Sequence, residues 1–577
     1  MKKKLLPALI VTGLIILVVI IMGITALINK YTPTKKTEDL KEYFNISSDD
    51  EAALIVDNEL SDYKAKIIDK KIYVDYKFVH DSLNSRFYWD ANENVLLYTT
   101  ASDIISAVAD SNSYSVTKQT NDFGYPIVKA TSDSALIALD YVKQYSNITF
   151  KSYDDPARIV ITSKWDEIDS ATVSKSTQVR VKGGIKSPIL KEVKKDDKIT
   201  ILDSGDKWDK VATEDGVIGY IKRKALSESK KTKLTNPDYE EETFTHIKKD
   251  KDICLAWNQV TSQSANSKVP QVISSTKGIN VMSPTWFYLN DNNGNLADIA
   301  SKDYVSYCHS QGIEVWGLFS NFENTDVDAA YVLTHTSTRT TLINQIMSAA
   351  FNYELDGVNI DFENITEAAY GDSYIEFIRE LAIKCHNNGI SLSVDVTVPA
   401  SFNKFFNRSD MANFADYIVI MGYDEHYKGS DAGSVSSIPW VTEGVESTLK
   451  EVPADQIILG MPFYTRIWEL TPKEDDDAVT DTEDQSKYTV ASQVYSMDAA
   501  AAQLATNNAT AALDEESGQN YAEWSVSNKL YKVWLEDTTS LEKRLKLVDD
   551  NKLAGAAFWK LGFENSSVWD TVIKYLN

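Results

Sequence analysis

In the segment Asp356–Glu363 an amide and two carboxylic acids stand at alternate positions, 359, 361 and 363. This spacing could carry acid–base chemistry. The β-branched and aromatic residues of the segment predict a strand, whose alternate side chains would place Asn359, Asp361 and Glu363 on one face. Two neighbouring carboxylates cannot both ionise cheaply, so the pKa of one should rise. An acid that stays protonated near neutral pH can protonate a glycosidic oxygen. The alternative interpretation is a strand end with solvated acids.

The elements that must position these residues alternate between apolar strands and helical stretches from Ile247 onward. Continuous apolar runs are typical of strands buried on both faces, and strand–helix alternation predicts a parallel sheet. Eight such strands predict an α/β fold, the (β/α)₈ TIM barrel, with active sites at the C-terminal strand ends. Glu363, Tyr423, Arg466 and Trp559 lie at or just beyond such ends. The predicted strands are Ile253–Trp257, Ile279–Thr285, Ile313–Phe319, Gly357–Glu363, Leu392–Thr397, Tyr417–Tyr423, Ile457–Phe463 and Gly555–Trp559.

The acidic segment resembles the signature of glycoside hydrolase family 18, Asp-Gly-x-Asp-x-Asp-x-Glu, except that Asn359 stands where chitinases usually carry Asp. The resemblance covers residues 244–577 and includes the Met-x-Tyr-Asp element at Met421–Asp424 and a Trp on the last strand. The sequences Asp-Phe-Glu-Asn, Tyr-Asp-Glu-His and Trp-Leu-Glu-Asp resemble bacterial cell-wall and spore-cortex N-acetylglucosaminidases more than chitinases proper.

This resemblance implies a substrate-assisted mechanism, an exception to the scheme of two catalytic carboxylates. Glu363 would be the general acid, and the 2-acetamido oxygen of the sugar would attack its own anomeric carbon to give an oxazolinium. Asp361 would orient the acetamido N–H, and Tyr423 would donate a hydrogen bond to the acetamido oxygen. Asn359 cannot exchange a proton as the Asp of chitinases does. It could still donate a hydrogen bond to Asp361, which predicts altered pH behaviour rather than inactivity.

Further substrate contacts are predicted around the same cleft. Trp559 is implied to be the floor on which the sugar stacks, with core packing as the alternative. Asp424, Tyr464 and Arg466 are candidate polar contacts, with a structural ion pair as the alternative. Core packing is as good an interpretation for the candidate cleft aromatics, which are Trp257, Trp286, Trp316 and Trp468. His426 is interpreted as a supporting group, because no Cys-x-x-Cys or His-Glu-x-x-His spacing predicts a metal, and no cofactor is implied.

The composition and the N-terminal segment limit the possible functions of the protein and its place in the cell. At 577 residues the chain is too long for one ordinary domain, and its formal net charge of −25 argues against nucleic-acid binding. Lys2–Lys4 precede the apolar run Leu5–Ile28, which is long enough to cross a bilayer and should keep the N-terminus in the cytoplasm. The chain would then be a single-pass protein of a bacterial cell membrane with its later domains outside the cell. A cleaved signal peptide is the alternative.

The three cysteines are widely spaced, which predicts buried free thiols rather than a disulfide framework. They are Cys254, Cys308 and Cys385.

Two small modules are predicted between the anchor and the barrel. Residues 41–165 show a weak repeat of strand, helix and hairpin, with helices over Tyr76–Leu83 and Ser134–Tyr145. This pattern resembles the N-terminal α+β domain of copper amine oxidase, although no His cluster supports a copper role, and it would act as a stalk. Residues 171–228 resemble a bacterial SH3-like module, in which Trp208 and Tyr220 would bind wall peptides or pack a small barrel. A polar linker is predicted near 227–242.

An insertion is predicted after the seventh barrel strand, at about residues 469–533. It begins with the acidic run Glu474–Asp477, which is typical of a solvated loop, and continues into an Ala-rich stretch that could form a helix. In the resembled family an inserted lobe at this place walls the substrate cleft.

These interpretations together predict a membrane-anchored extracellular glycosidase that cleaves after N-acetylglucosamine, most naturally in peptidoglycan, because that is the N-acetylated glycan of the wall. A hydrolase of chitin oligosaccharides is the first alternative. A barrel that binds wall glycan without cutting it is the second, and the intact Glu363 argues against it.

Overall fold

The computed structural model describes residues 5–363, 365, 370–473 and 485–576. The chain divides into two compact units, one formed by residues 1–89, 107–114 and 121–241 and the other by residues 90–106, 115–120 and 242–577. Lys2–Lys4 and the acidic run Glu474–Asp477 lie outside the described residues. A five-stranded sheet follows chain order through Phe87–Asp90, Val95–Thr99, Ile104–Val108, Ser113–Val116 and Gln119–Asp122.

The first unit begins with a helix over Leu5–Tyr31, three residues longer than the predicted apolar run. Within it, Pro7–Tyr31 contains an 18-residue window with a mean hydropathy of 2.9 and is long and apolar enough to cross a bilayer. A short helix, Leu40–Tyr43, follows. By length and composition alone, the first helix fits either a membrane anchor or a signal sequence.

A seven-stranded sheet contains the strands that lead into both helices of the predicted repeat, but only the second of its two hairpins. Strands Lys71–Asp75 and Ala135–Ala138 pair antiparallel, and each runs directly into a helix, Tyr76–Ser82 and Leu139–Tyr145. The observed helix therefore begins five residues later than the predicted one at 134–145, because Ala135–Ala138 satisfies its backbone through sheet pairing instead. In spatial order the strands are Thr149–Tyr153, Arg158–Thr162, Glu51–Val56, Glu59–Ile68, Lys71–Asp75, Ala135–Ala138 and Val128–Ala130.

A second seven-stranded sheet of the first unit is antiparallel throughout. It includes Lys230–Lys233, which pairs with Glu167–Thr172, so the sheet extends beyond the predicted bounds of 171–228 and into the predicted linker. Trp208 and Tyr220 are both half-buried. In spatial order the strands are Ile189–Val193, Thr177–Arg180, Ile218–Lys222, Trp208–Thr213, Lys198–Asp203, Glu167–Thr172 and Lys230–Lys233.

The second unit is built on a closed barrel of eight parallel strands. The first strand pairs with both the second and the eighth, which closes the sheet. The TIM-barrel fold and all eight predicted strands are thereby confirmed, with ends shifted by a few residues. The strands, called the first to eighth barrel strands below, are Ile253–Asn258, Val281–Leu289, Glu314–Ser320, Gly357–Asp361, Ser391–Thr397, Tyr417–Met421, Ile457–Pro462 and Gly555–Trp559.

Helices cover the outside of the barrel, and the main apolar core lies between them and the strands. Side chains that alternate away from the interior, such as Val358 and Ile360, are fully buried in this layer. The three cysteines are free and buried, as predicted. The helices are Val269–Val272, Lys302–Ser310, Ala329–Thr334, Thr336–Tyr353, Gly371–His386, Arg408–Phe414, Ile438–Thr448, Thr538–Asn551 and Val568–Tyr575.

A lobe with its own antiparallel sheet lies between the seventh and eighth barrel strands. Its sheet has the spatial order Tyr488–Ser496, Tyr464–Pro472, Lys529–Leu535, Gln519–Val526 and Ala512–Asp514. The Ala-rich stretch forms a helix over Met497–Thr506. An insertion after the seventh strand is therefore present.

Candidate active site

A cavity of about 890 Å³ opens at the C-terminal ends of the barrel strands. Its wall is strongly acidic. The six carboxyl side chains that line it are those of Glu323, Asp361, Glu363, Asp395, Asp424 and Glu425. No Lys, Arg or His is among its described lining residues.

The fourth barrel strand places three predicted residues by simple alternation. Asn359 and Asp361 are buried and face the barrel interior, while Phe362 points to the helices and stacks on Phe377 at 5.4 Å between ring centroids. The strand ends at Asp361, so Glu363 emerges beyond it and its side chain is exposed to the cavity. Asn359, Asp361 and Glu363 therefore share one face of the strand, as predicted. Glu363 lies at the mouth of the cavity, and Asn359 lies deepest in the barrel.

Asn359 is held by four hydrogen bonds that do not include Asp361. Its Oδ1 accepts from Trp257 Nε1 at 3.0 Å and from Ser283 Oγ at 2.9 Å. Its Nδ2 donates to Ser393 Oγ at 3.0 Å and to Asp395 Oδ1 at 2.7 Å. The predicted bond from Asn359 to Asp361 is thus replaced by bonds to the fifth strand, because both amide protons point sideways across the barrel rather than along their own strand.

The pKa values of the central acids are raised, as the sequence predicts for crowded carboxylates. Burial is the main cause for Asp361, followed by repulsion from Asp395 and Glu363, and its pKa lies well above the ordinary range. Burial and then the neighbouring charges of Asp424 and Glu323 raise the pKa of Glu363. Glu363 is therefore an acid in reach of solvent that retains its proton to higher pH than an ordinary glutamic acid.

Tyr423, Asp424, Tyr464 and Arg466 follow the sixth and seventh barrel strands and form one connected group. Tyr423 lines the cavity, and burial raises its pKa well above the ordinary value, with further repulsion from Asp361. The hydroxyl of Tyr464 hydrogen bonds to Asp424 Oδ1, and Arg466 Nη2 lies 3.7 Å from the same oxygen. Tyr464 and Arg466 therefore contact Asp424, and they are not themselves part of the cavity lining, whereas Asp424 is.

The aromatic residues separate into two groups. Trp559 is half-exposed in the cavity and packs edge-on against Trp257 at 5.9 Å between ring centroids. Trp257 is also among the residues that line the cavity but is only 1% exposed. It contacts Trp559 through its ring and Asn359 through its indole N–H. The other candidate tryptophans, Trp286, Trp316 and Trp468, are fully buried and do not belong to the cavity lining.

Several lining residues were not predicted from the sequence. Asp395 is a charged residue inside the otherwise apolar or small-residue strand Ser391–Thr397, and this break in the pattern is a signal that could have identified it. Glu323 lies three residues beyond the end of the third strand, at Ser320, and accepts a hydrogen bond from the Ser320 hydroxyl at 2.6 Å. Phe402 is 79% exposed at the rim, and a large exposed aromatic has no sequence signal of its own. His426 bonds the Ser434 carbonyl through Nδ1 at 2.8 Å, consistent with a supporting group.

A TIM barrel with acid–base groups at the C-terminal ends of its strands has the arrangement of a TIM-barrel enzyme. Residues 313–564 match the family "Glycosyl hydrolases family 18". This region therefore resembles a glycoside hydrolase family 18 domain, and the protein is a glycosidase.

Named relatives agree with this class. The chain is 24% identical over 302 residues to an uncharacterized glycosylase, YvbX, of Bacillus subtilis, covering 49% of this chain and 81% of that protein. It is 24% identical over 287 residues to the cortical fragment-lytic enzyme of Bacillus subtilis, covering 48% of this chain but only 63% of that enzyme.

Solved structures of this kind include the spore cortex-lytic enzyme SleL of Bacillus megaterium and a chitinase of Chromobacterium violaceum. The first aligns with a TM-score of 0.49 at 19% identity, over 60% of this chain and 77% of that one. The second aligns with a TM-score of 0.48 at 20% identity, over 56% of this chain and 98% of that one.

Proposed function

We propose that this protein is a membrane-anchored extracellular glycosidase that cleaves β-1,4 linkages after N-acetylglucosamine in peptidoglycan, with the acetamido group of the substrate as nucleophile. The observation that carries the proposal is the arrangement at the mouth of the barrel. Glu363 is exposed to the cavity with a raised pKa, two residues beyond the buried Asp361, and Tyr423 and Trp559 line the same space.

Each of these side chains has a defined role in the reaction. Glu363 donates its proton to the glycosidic oxygen, and the acetamido oxygen attacks the anomeric carbon as the bond to the leaving group breaks. Asp361 accepts the hydrogen bond of the acetamido N–H, and Tyr423 donates to the acetamido oxygen. Glu363 then takes a proton from the water that opens the oxazolinium, which restores the acid and retains the configuration. The indole of Trp559 stacks against one face of the sugar ring.

Location and relatives support peptidoglycan as the substrate. The helix Leu5–Tyr31 would anchor the chain, and the two small modules would hold the barrel in the wall layer. The name of the cortical fragment-lytic enzyme, a relative at 24% identity, points to the same kind of material. On this proposal the mature protein keeps Met1 or Lys2 at its N-terminus, and protease added to wall-free cells reaches the barrel. A mature N-terminus beyond Ile28 would mean a cleaved signal peptide.

Chitin oligosaccharides are the second candidate substrate, and the charge of the cavity favours them. Six carboxyl groups line the cavity without a Lys, Arg or His among its described lining residues. Repulsion would disfavour the lactyl carboxylate of muramic acid near these groups, whereas an uncharged N-acetylglucosamine chain meets no such penalty.

The experiment that tests the proposal is reducing-end analysis of purified peptidoglycan after digestion. We expect new reducing ends on N-acetylglucosamine, and a parallel digest of chitin oligomers measures the second candidate by its relative kcat/KM. N-Acetylmuramic acid at the new ends would keep the hydrolase but overturn the bond assignment.

A second experiment tests the nucleophile. De-N-acetylated glycan should be inert, because glucosamine lacks the carbonyl oxygen that attacks. A thiazoline mimic of the oxazolinium should inhibit competitively, because it resembles the intermediate that Asp361 and Tyr423 hold. Efficient cleavage of the de-N-acetylated glycan would rule out assistance by the substrate.

A further inference from the structure

A second buried carboxyl group, Asp395, lies beside Asp361 and has no role in the reaction as written above. The fourth and fifth barrel strands pair Asn359 with Ser393 and Ile360 with Val394, so the next step of the register brings Asp361 level with Asp395. Neighbouring strands are about 4.8 Å apart, and both carboxyl groups line the same cavity. The two acids are therefore lateral neighbours inside the barrel.

Asn359 donates a hydrogen bond to Asp395 and none to Asp361. The indole of Trp257 can only donate, so the oxygen of the Asn359 amide must face it and the amide nitrogen must face Asp395. An amide stabilises a neighbouring negative charge by donating, but it can neither take up nor release a proton. Oδ1 of Asp361, in contrast, is buried and has no hydrogen-bond partner among the described residues.

Among the residues that the structure describes, the cavity around the pair is lined by no Lys, Arg or His that could compensate its charge. The ionisable groups that interact electrostatically with Asp361, Asp395 or Glu363 come from several elements: Glu323 after the third strand, Glu363 after the fourth, Asp424 after the sixth, Tyr423 beside it, and Tyr374 of the helix Gly371–His386. All are acids or phenols. Two buried carboxyl groups in such a place hold one proton between them, as acid pairs at short distance do.

We propose that Asp395 is a positioning residue that shares this single proton with Asp361. In the resting site the proton lies on Asp361, whose oxygen is unsupported, and the charge lies on Asp395 beside the Asn359 amide. When the positive oxazolinium forms, the proton passes from Asp361 to Asp395, and Asp361 becomes the anion next to the acetamido group. The pair keeps one proton and one negative charge throughout. This inference rests on the proposed substrate-assisted reaction, and burial raises the pKa of both acids in agreement with it.

The test compares Asp395→Asn with the exchange variant Asn359→Asp/Asp395→Asn, which moves the second carboxyl group from the fifth strand to the fourth. We expect Asp395→Asn to lower kcat about 10- to 100-fold with little change in KM. It should also move the alkaline limb of the pH–rate profile to lower pH, because losing the charge of Asp395 lowers the pKa of Asp361. The exchange variant should recover most of the lost kcat. Ser393→Ala, which removes the other acceptor of Asn359 but no charge, should leave that limb in place.

A stability readout is independent of turnover. Because the pKa of Asp395 is higher in the folded protein than in the unfolded chain, its ionisation destabilises the fold as pH rises above the unfolded value. Asp395→Asn should therefore unfold at a higher temperature than wild type near neutral pH. The difference should disappear at about pH 3, below the ordinary pKa of Asp.

The outcomes separate this inference from the proposed function. The proposed function fails if wild type cleaves neither peptidoglycan nor a fluorogenic N,N′-diacetylchitobioside. If wild type cleaves either substrate and Asp395→Asn keeps the wild-type kcat and pH profile, only the sharing of the proton is refuted. A folded exchange variant without activity also refutes it. If Asp395→Asn and the exchange variant both fail to fold, Asp395 serves folding and the proposal is overturned.

Discussion

Replacing Glu363 by Gln removes the proposed proton donor while keeping the size and shape of the side chain. The amide cannot transfer a proton to the glycosidic oxygen, so the leaving group must depart as an alkoxide. General acid catalysis contributes about 10²- to 10⁴-fold, which corresponds to about 2.7–5.4 kcal/mol of transition-state stabilisation at about 1.36 kcal/mol per tenfold. We therefore expect kcat to fall at least about 10²-fold, with KM nearly unchanged.

The fold should tolerate this substitution. Glu363 is exposed to the cavity, and the charges that raise its pKa are those of the neighbouring acids Asp424 and Glu323. Removing a negative charge from this group relieves repulsion, so the thermal unfolding temperature should not fall. Glu446→Gln, the same chemical change at an exposed position of the helix Ile438–Thr448, is the matched control and should leave both rate and stability unchanged.

The assay that isolates the role of Glu363 varies the leaving group. Initial rates are measured with an oligosaccharide, whose leaving sugar needs a proton, and with a dinitrophenyl glycoside, whose phenolate does not. Glu363→Gln should lose far less of its bond-cleavage rate on the second substrate, as measured in single-turnover experiments. Equal losses on both substrates, or an oligosaccharide rate within a few-fold of wild type, would refute the assignment of Glu363 as the general acid.

Three further predictions follow from the same site and its supporting structure. Asp424→Asn should move the alkaline limb of the pH–rate profile to lower pH, because Asp424 is the largest charge contribution that raises the pKa of Glu363; an unmoved limb would contradict this coupling. Arg544→Ala should lower the free energy of unfolding by about 3–5 kcal/mol in chemical denaturation, because it leaves Glu536, now 2.7 Å from the guanidinium, buried and unpaired; a loss below about 1 kcal/mol would mean that Glu536 accepts a proton at little cost. Trp559→Ala should raise KM for N-acetylglucosamine oligomers more than it lowers kcat in steady-state kinetics, and the reverse pattern would argue against a stacking role.

Much of the barrel could be predicted from local pattern because its strands are buried on both faces. Burial on both faces selects continuous apolar runs, and these runs are visible in the sequence without any knowledge of neighbours. The first helix is predictable for the same reason, since its apolar length is a property of one segment. The common face of Asn359, Asp361 and Glu363 follows from the two-residue period of a strand, which depends on backbone geometry alone.

The partners of these residues depended on the tertiary structure. Asp361 and Asp395 are 34 positions apart, and only the register between the fourth and fifth barrel strands makes them neighbours. The bond expected from Asn359 to Asp361 is instead made to Asp395, because the indole of Trp257, from the far first strand, orients the amide. Sequence determined which side chains face the barrel interior, since that is a matter of local alternation. Closure of the barrel decided which of them meet, because hydrogen bonding and charge repulsion act between strands that are distant along the chain.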